Sequence, residues 1–204
     1  ERKPLTEEEV KLNMKNFLVQ AGKILDLKKL EVRYNSEWFS APESIKIIFD
    51  LDRAGTVTQM LHRADFKKRL AEGGDITVAE LQYPLMQGYD SVMVKADVEI
   101  GGADQRFNLL MGRQVQKRLG MKEQNIVITP LIEGVDGVKK MSKSFGNYIA
   151  LDADPNEMFG KIMAVPDELM PKYYETLTDE EFSLAENPRT AKLALGRIIV
   201  AMYH

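Results

Sequence analysis

The segment from Ser91 to Gly134 constrains the fold more than any other part of the chain. A β-rich run, SVMVKADVEI (Ser91–Ile100), ends at the pair Gly101 and Gly102, and an amphipathic helix is predicted from about Asp104 to Leu119. A second apolar run, NIVITPLIEG (Asn125–Gly134), follows and supplies another strand. Strand, glycine turn, helix, strand is the order of a βαβ unit, because two parallel strands need a long crossover between them. The chain is therefore predicted to be α/β, with a parallel sheet flanked by helices.

Upstream the pattern is helical. Thr6 with Glu9 has the spacing of a capping box, and Val10, Met14, Phe17, Leu18, Ala21 and Leu25 recur at helical intervals, which predicts one long amphipathic helix. EVRYN (Glu31–Asn35) alternates as a short strand, and APESIKIIFDLDRAG and TVTQMLHRADFKKRLAEGG read as helices closed by glycines. Thr77 and Glu80 repeat the capping-box spacing before LQYPLMQGYD. Beyond Leu151 the text changes to helix starts alone, at Asp154 with Pro155, at Thr178, and at Asn187 with Pro188. No internal repeat or low-complexity segment is present. These changes divide the chain into 1–150 and 151–204.

Composition narrows the chemistry. The 28 Lys and Arg against 31 Asp and Glu give a net charge of −3, so any contact with RNA must come from local patches. The absence of cysteine excludes a disulfide scaffold and a thiolate metal site, and two isolated histidines, His62 and His204, do not suggest a His-based one. No apolar run approaches membrane-spanning length, and ERKPLTEEEV reads neither as a signal nor as a transit peptide, so the expected location is the cytoplasm. The opening reads as a chain already under way.

One stretch concentrates charge where bulk is low. GVKKMSKSFGNYIAL (Gly137–Leu151) carries Lys139, Lys140 and Lys143 among serines and glycines. Three lysines are by themselves compatible with a solvated surface turn. Their position after the strand NIVIT is what points further, since ligands of open α/β sheets bind beyond the carboxyl ends of strands. Ammonium groups there would meet phosphate, with Met141 as the single apolar anchor of a mobile loop.

Lys140-Met141-Ser142-Lys143-Ser144 is a full match to the KMSKS signature of the class I aminoacyl-tRNA synthetases. YPLMQGYD (Tyr83–Asp90) and IGGADQRFN (Ile100–Asn108) resemble the amino-acid pocket and ribose-binding segments of the bacterial tyrosyl-tRNA synthetases. The resemblance covers nearly the whole chain. It implies the second half of a Rossmann-like catalytic domain with a helical connective insertion at about 40–80, then the start of an all-helical anticodon-binding domain. It also implies a reaction. Tyrosine is activated with ATP to tyrosyl-adenylate, pyrophosphate leaves, and tyrosine passes to tRNA(Tyr), with Mg2+ carried by the phosphates and no dedicated metal site.

The implied roles can be set beside what the residues say alone. Tyr83, Gln87 and Asp90, four and three residues apart, share one face of a helix, which on spacing alone reads as an exposed polar stripe. The resemblance implies that Tyr83 and Gln87 hold the substrate ammonium and that Asp90 accepts a hydrogen bond from the phenol. Gly101 and Gly102 suit either a tight turn or the close approach of a nucleotide, and Asp104 suits an N-cap. By resemblance Gly102 and Asp104 meet ATP, Asp104 at the ribose, while Gln105 sits against the amino acid. Leu131 and Ile132 would present backbone to adenine, and Lys140 through Ser144 would close over the phosphates, the two lysines stabilising the charge that develops on pyrophosphate.

The chain departs from the family at one motif. The HIGH-type signature of the first strand-to-helix turn is absent, and neither His62 nor His204 has its context. The resemblance thus implies an internal piece, lacking the N-terminal half of the nucleotide fold and the C-terminal RNA-binding module. Two other readings remain: a tryptophanyl-tRNA synthetase, whose pocket should be apolar where Gln87 and Asp90 stand, and an RNA-binding relative without catalysis. The family likeness further predicts a homodimer through apolar positions between Thr56 and Leu81, Val78 among them.

Overall fold

The structure is a computed structural model and describes residues 6–15, 17–183 and 187–204. It forms two compact units, one from Val32–Pro130 and one from the described parts of Glu1–Glu31 and Leu131–His204. Compactness thus divides the chain at Pro130, whereas the change in sequence character falls near residue 150.

The first of these units contains helices α3 (Ser36–Phe39), α4 (Ser44–Asp52), α5 (Val57–Leu61), α6 (Ala64–Ala71) and α7 (Val78–Met93), then strand β1 (Val98–Gly102), helix α8 (Arg106–Arg118) and strand β2 (Asn125–Thr129). β1 and β2 pair in parallel from Val98 opposite Asn125 to Gly102 opposite Thr129, as the βαβ reading requires. α7 and α8 lie close together because two glycines meet where they cross. A Cβ on Gly88 would stand 3.0 Å from the Val115 side chain and 3.3 Å from the Gly112 Cα. Leu51, Ala54, Met60, Leu85, Met111 and Val115 fill the core between α4, α7 and α8. The opposite face of the sheet is open, with Val98, Ile100 and Val127 exposed.

In the other unit, α1 (Glu7–Lys15) and α2 (Phe17–Ala21) precede the hairpin that carries the lysine-rich loop, and α9 (Pro155–Ala164), α10 (Met170–Leu177) and α11 (Pro188–Tyr203) follow it. Lys23 Nζ donates to the carbonyls of Leu151 (2.9 Å) and Tyr203 (3.1 Å), tying the early residues to the late ones. Met158, Ile162, Val165, Met170, Tyr173 and Leu195 form the core of the three late helices. Asp154 and Asn187 cap α9 and α11 through the backbone N–H groups of Asn156 and Arg189, as predicted.

Both capping boxes form, at Thr6 with Glu9 and at Thr77 with Glu80. Several expectations need correction. The long first helix is described as two segments ending at Ala21, so Leu25 lies beyond it, and Asn16 between them lies outside the described residues. Glu31–Asn35 is not a strand. The Tyr34 N–H is taken at 2.9 Å by Glu37 Oε1, whose other oxygen pairs with Arg33, so local side-chain bonds occupy a group a ladder would need. The run from Ser91 begins as helix, because α7, started by its capping box, continues to Met93 with Ser91 buried against α8. Thr56–Gly74 breaks into α5 and α6 at Arg63, whose guanidinium bonds to Asp65 and lies 4.3 Å over the Phe66 ring. Thr178 ends α10 instead of starting a helix, its hydroxyl donating at 2.9 Å to the Tyr174 carbonyl.

Candidate functional site

The predicted site residues fall into two groups, one in each compact unit. The first begins at the start of α7. Thr77 Oγ1 accepts the Glu80 N–H, and Glu80 accepts the Thr77 N–H (3.0 Å) and an Arg69 N–H (2.6 Å). These bonds, the Thr77 backbone N–H foremost, then the Arg69 guanidinium, hold the Glu80 carboxyl down at about 2. With the helix start fixed, Tyr83, Gln87 and Asp90 all lie on α7, Tyr83 exposed and the other two half-buried.

Asp90 is met by a residue that no local pattern singles out. The indole N–H of Trp38, itself buried, donates to Asp90 Oδ1 at 2.9 Å. Burial raises the Asp90 pKa above its ordinary value, hydrogen bonds from Trp38 and Asn35 oppose that shift, and the Glu99 charge adds to it. Behind α7 lies a buried polar network. Glu99 accepts from Ser91 Oγ at 2.9 Å and from Gln124 Nε2, and Gln87 Nε2 reaches its other oxygen at 3.5 Å. Gln116 Oε1 accepts the Gln124 N–H at 2.7 Å, and Gln116 Nε2 donates to the Ala96 carbonyl at 3.0 Å. Both glutamines are fully buried. Their sequence signal was faint: Gln116 stands next to Val115 at the end of the buried stripe of α8, and a polar residue there must find partners.

β1 runs through Gly101 and Gly102 into a short 3-10 turn, Ala103–Gln105, and so into α8. Gly102 is extended, and a Cβ on Gly101 would lie 3.3 Å from Leu109, so close packing on α8 is one reason for a glycine at 101. Asp104 is exposed and does not cap α8, whose N-cap position is Gln105. Gln105 accepts at 2.9 Å from the amide of buried Asn108.

The second group sits on a hairpin. The Met141 N–H donates to the Ile132 carbonyl at 2.7 Å and the Gly134 N–H to the Lys139 carbonyl at 2.9 Å, with an isolated bridge between Glu133 and Lys140. At the tip, Asp136 Oδ1 accepts the N–H groups of Val138 and Lys139, each at 3.1 Å, and Gly137 takes a positive φ of 72° that suits glycine. Ser142 caps a 3-10 turn, Lys143–Phe145, that ends at Gly146 in the left-handed region. Lys140 and Lys143 are exposed, while Met141 and Ile132 pack against the helical core, the anchoring expected of Met141. Leu131 is half-buried. The hairpin is pinned to the helices by Tyr173, whose hydroxyl donates to the Glu133 carbonyl at 2.6 Å, and by the Lys172 ion pair with Glu133 at 2.8 Å.

A cavity of about 130 Å³ between α4, α7 and α8 is lined by Ile47, Leu51, Tyr89, Val115 and Arg118 among others, and by none of the predicted site residues. Among the described residues no helix is long and apolar enough to cross a membrane, and no three His, Asp or Glu side chains are grouped to hold a metal.

This arrangement, a βαβ unit with a glycine turn and a separate lysine-bearing hairpin ahead of a helical tail, matches a known family. A profile described as tRNA synthetases class I (W and Y) matches residues 1–193, and the chain belongs to that family. Among individual relatives, the tyrosine-tRNA ligase of Symbiobacterium thermophilum is 50% identical over 212 residues, covering 99% of this chain and 52% of its own length. The tyrosine-tRNA ligase of Idiomarina loihiensis is 49% identical, covering 100% of this chain and 53% of its own length. The chain spans about half the length of the curated relatives it matches. Among solved structures, tyrosyl-tRNA synthetase from Archaeoglobus fulgidus, complexed with L-tyrosine, has a TM-score of 0.74 at 23% identity, covering 99% of this chain and 74% of that one. Tryptophanyl-tRNA synthetase from Campylobacter jejuni, complexed with ADP and tryptophan, has a TM-score of 0.64 at 16% identity, covering 97% and 72%. Both share the fold.

Proposed function

We propose that this chain carries the amino-acid pocket and the lysine-rich loop of a tyrosine-tRNA ligase. Tyrosine attacks the α-phosphate of ATP through its carboxylate, tyrosyl-adenylate forms, pyrophosphate leaves, and the amino acid is then transferred to tRNA(Tyr). The observation that carries the choice of tyrosine is the half-buried Asp90 on the same helix as Tyr83 and Gln87. A carboxylate so placed needs a donor. Each of its oxygens can accept two hydrogen bonds, so the Trp38 indole at 2.9 Å leaves room for a phenol. Phenylalanine would desolvate Asp90 without offering a donor. Preference for tyrosine over phenylalanine of about 10⁵ is the general principle's own example for this enzyme class, and is not a value derived from this chain.

The remaining assignments follow the same reading. Tyr83 and Gln87 hold the ammonium, Gln105 faces the amino acid, and Gly102 and Asp104 receive the ribose side of ATP. Leu131 and Ile132 offer backbone to adenine, with the Ile132 carbonyl already engaged by Met141. Lys140, Met141, Ser142, Lys143 and Ser144 serve the phosphates, which bring Mg2+ with them. The dimer reading is supported by the exposure of Val57, Leu70 and Val78. It does not extend to Met60 and Phe66, whose side chains are buried within their own unit.

The test is exchange of labelled pyrophosphate into ATP, run on this chain joined to the part of the Symbiobacterium relative that the match leaves uncovered. Exchange that depends on tyrosine and ignores tryptophan is expected. Tryptophan dependence would establish the tryptophanyl reading, and tRNA binding without exchange for any amino acid would establish a non-catalytic one.

A further inference from the structure

We propose that Asn147 is the positioning residue of the lysine-rich loop, a role that rests on reading Lys140 and Lys143 as the groups that meet phosphate. Asn147 follows the loop and is only 4% exposed. Its single amide bonds the tip and the second arm of the hairpin. Oδ1 accepts the Ser142 N–H at 2.8 Å, and Nδ2 donates to Asp136 Oδ2 at 2.9 Å and to the carbonyls of Lys139 and Lys140, each at 3.2 Å. Its own carbonyl accepts the Val135 N–H at 3.0 Å. One planar group therefore fixes the peptide on either side of Lys140 and the first peptide of the turn that holds Lys143.

The surroundings are shaped to receive that amide. A Cβ on Gly134 would stand 2.3 Å from Asn147 Cγ, so the hairpin omits a side chain where the amide sits. Asp136, held below the usual carboxylate range first by the Val138 N–H and then by Asn147 and Lys139, remains a charged acceptor for Nδ2. No other common side chain does this work. The seat needs one acceptor and two N–H donors on one small group, and aspartate would lack the donors and set a second carboxylate against Asp136. The carbonyls of Lys139 and Lys140 are thus held inward while both residues remain exposed. A long, flexible lysine on an otherwise glycine- and serine-rich loop gains a fixed base, which is where orientation in a phosphoryl or adenylyl transfer is won or lost.

The experiment is a mutant cycle in the pyrophosphate-exchange assay of the joined protein described above. Asn147→Ala is expected to lower kcat by on the order of a hundredfold with little change in the KM for tyrosine. In a K140A/K143A background the same change is expected to add almost nothing, because a residue that acts through the lysines has nothing left to position. Hydrogen exchange supplies a readout independent of catalysis: the Ser142 amide is expected to lose protection in N147A. Should N147A not fold, N147S, which keeps a small hydroxyl in the seat, carries the same cycle. A K140A/K143A protein as fast as the parent would overturn the phosphate reading and the proposal with it. Slow lysine variants beside a fast or fully additive N147A would overturn the proposal alone.

Discussion

The α7 group and the hairpin group solve the same problem, holding polar side chains in place, by opposite means. Tyr83, Gln87 and Asp90 stand on a helix whose position is set by glycine contacts with α8 and by hydrogen bonds that Ser91 and Gln124 donate to Glu99. Lys140 and Lys143 stand on a loop whose course is set by backbone bonds, one aspartate tip and one buried amide. On the roles proposed for the two groups, the difference teaches which task suits which support. Recognition of a hydroxyl needs a rigid, partly desolvated acceptor, whereas meeting a polyphosphate needs exposed charge that can follow the leaving group.

The sharpest way to break this comparison is at the lysines. Lys140→Ala or Lys143→Ala is expected to slow adenylate formation by on the order of a hundredfold in single-turnover measurements, with tyrosine affinity nearly unchanged. A loss of tyrosine affinity at constant rate would move the lysines into the recognition group. Next in size is Asp90→Ala, expected to weaken tyrosine binding by about 2 kcal/mol and phenylalanine binding by less, since only tyrosine has a hydroxyl to lose its partner. Equal losses in calorimetric titration would place Asp90 outside the pocket.

Two glycines sharpen the structural side of the contrast. A Cβ on Gly112 would lie 2.6 Å from Gln124 Nε2 and 3.0 Å from Ser91 Oγ, so Gly112→Ala must disturb the network behind α7 and is expected to destabilise by about 1–3 kcal/mol. Gly160, in α9 and clear of any neighbour within 4 Å, should do the reverse, with Gly160→Ala stabilising by about 0.5–1 kcal/mol. Urea denaturation of the pair decides whether the rigid support lies where we place it.

Two carboxyls on α7 make opposite predictions with pH. Glu80 is held at about 2 against an ordinary 4.5, so the stability it contributes is present above 4.5 and is lost as pH falls toward 2; Glu80→Gln should flatten that acid limb. Its side chain is 37% exposed, so solvent screening keeps the effect modest. Asp90 has a raised pKa, so its ionisation opposes folding and stability falls as pH rises through that value; Asp90→Asn should be the more stable protein at neutral pH. Denaturation curves across pH that show the same slope for both variants would contradict the stated burial of Asp90. The smallest effect on either group is expected from Val78→Asp, at an exposed position, which should abolish self-association in sedimentation while leaving each unit folded.

The elements legible in advance were those whose signals are local. The capping boxes at Thr6 and Thr77, the helix starts at Asp154 and Asn187, and the strand, glycine turn and helix around Gly101 each rest on residues within one or two turns of one another. The errors share a cause as well. Val and Met make Ser91–Met93 suit a strand, yet packing against α8 extends α7 through it. Glu31–Asn35 alternates like a strand, but Glu37 takes the Tyr34 N–H, and the described sheet consists of β1 and β2 alone.

By itself the sequence determined the α/β order, the helical tail and the residue types of both groups, since capping, turn chemistry and the KMSKS run are written in consecutive residues. Only the tertiary structure decided that Trp38 meets Asp90 across 52 residues of chain, and that Glu99, Gln116 and Gln124 close one network behind α7. It also decided that the amide of Asn147 serves two lysine carbonyls at once. The physical reason is that a hydrogen bond's partner depends on which groups are desolvated together, and burial is a property of the packed chain, not of any short stretch of it.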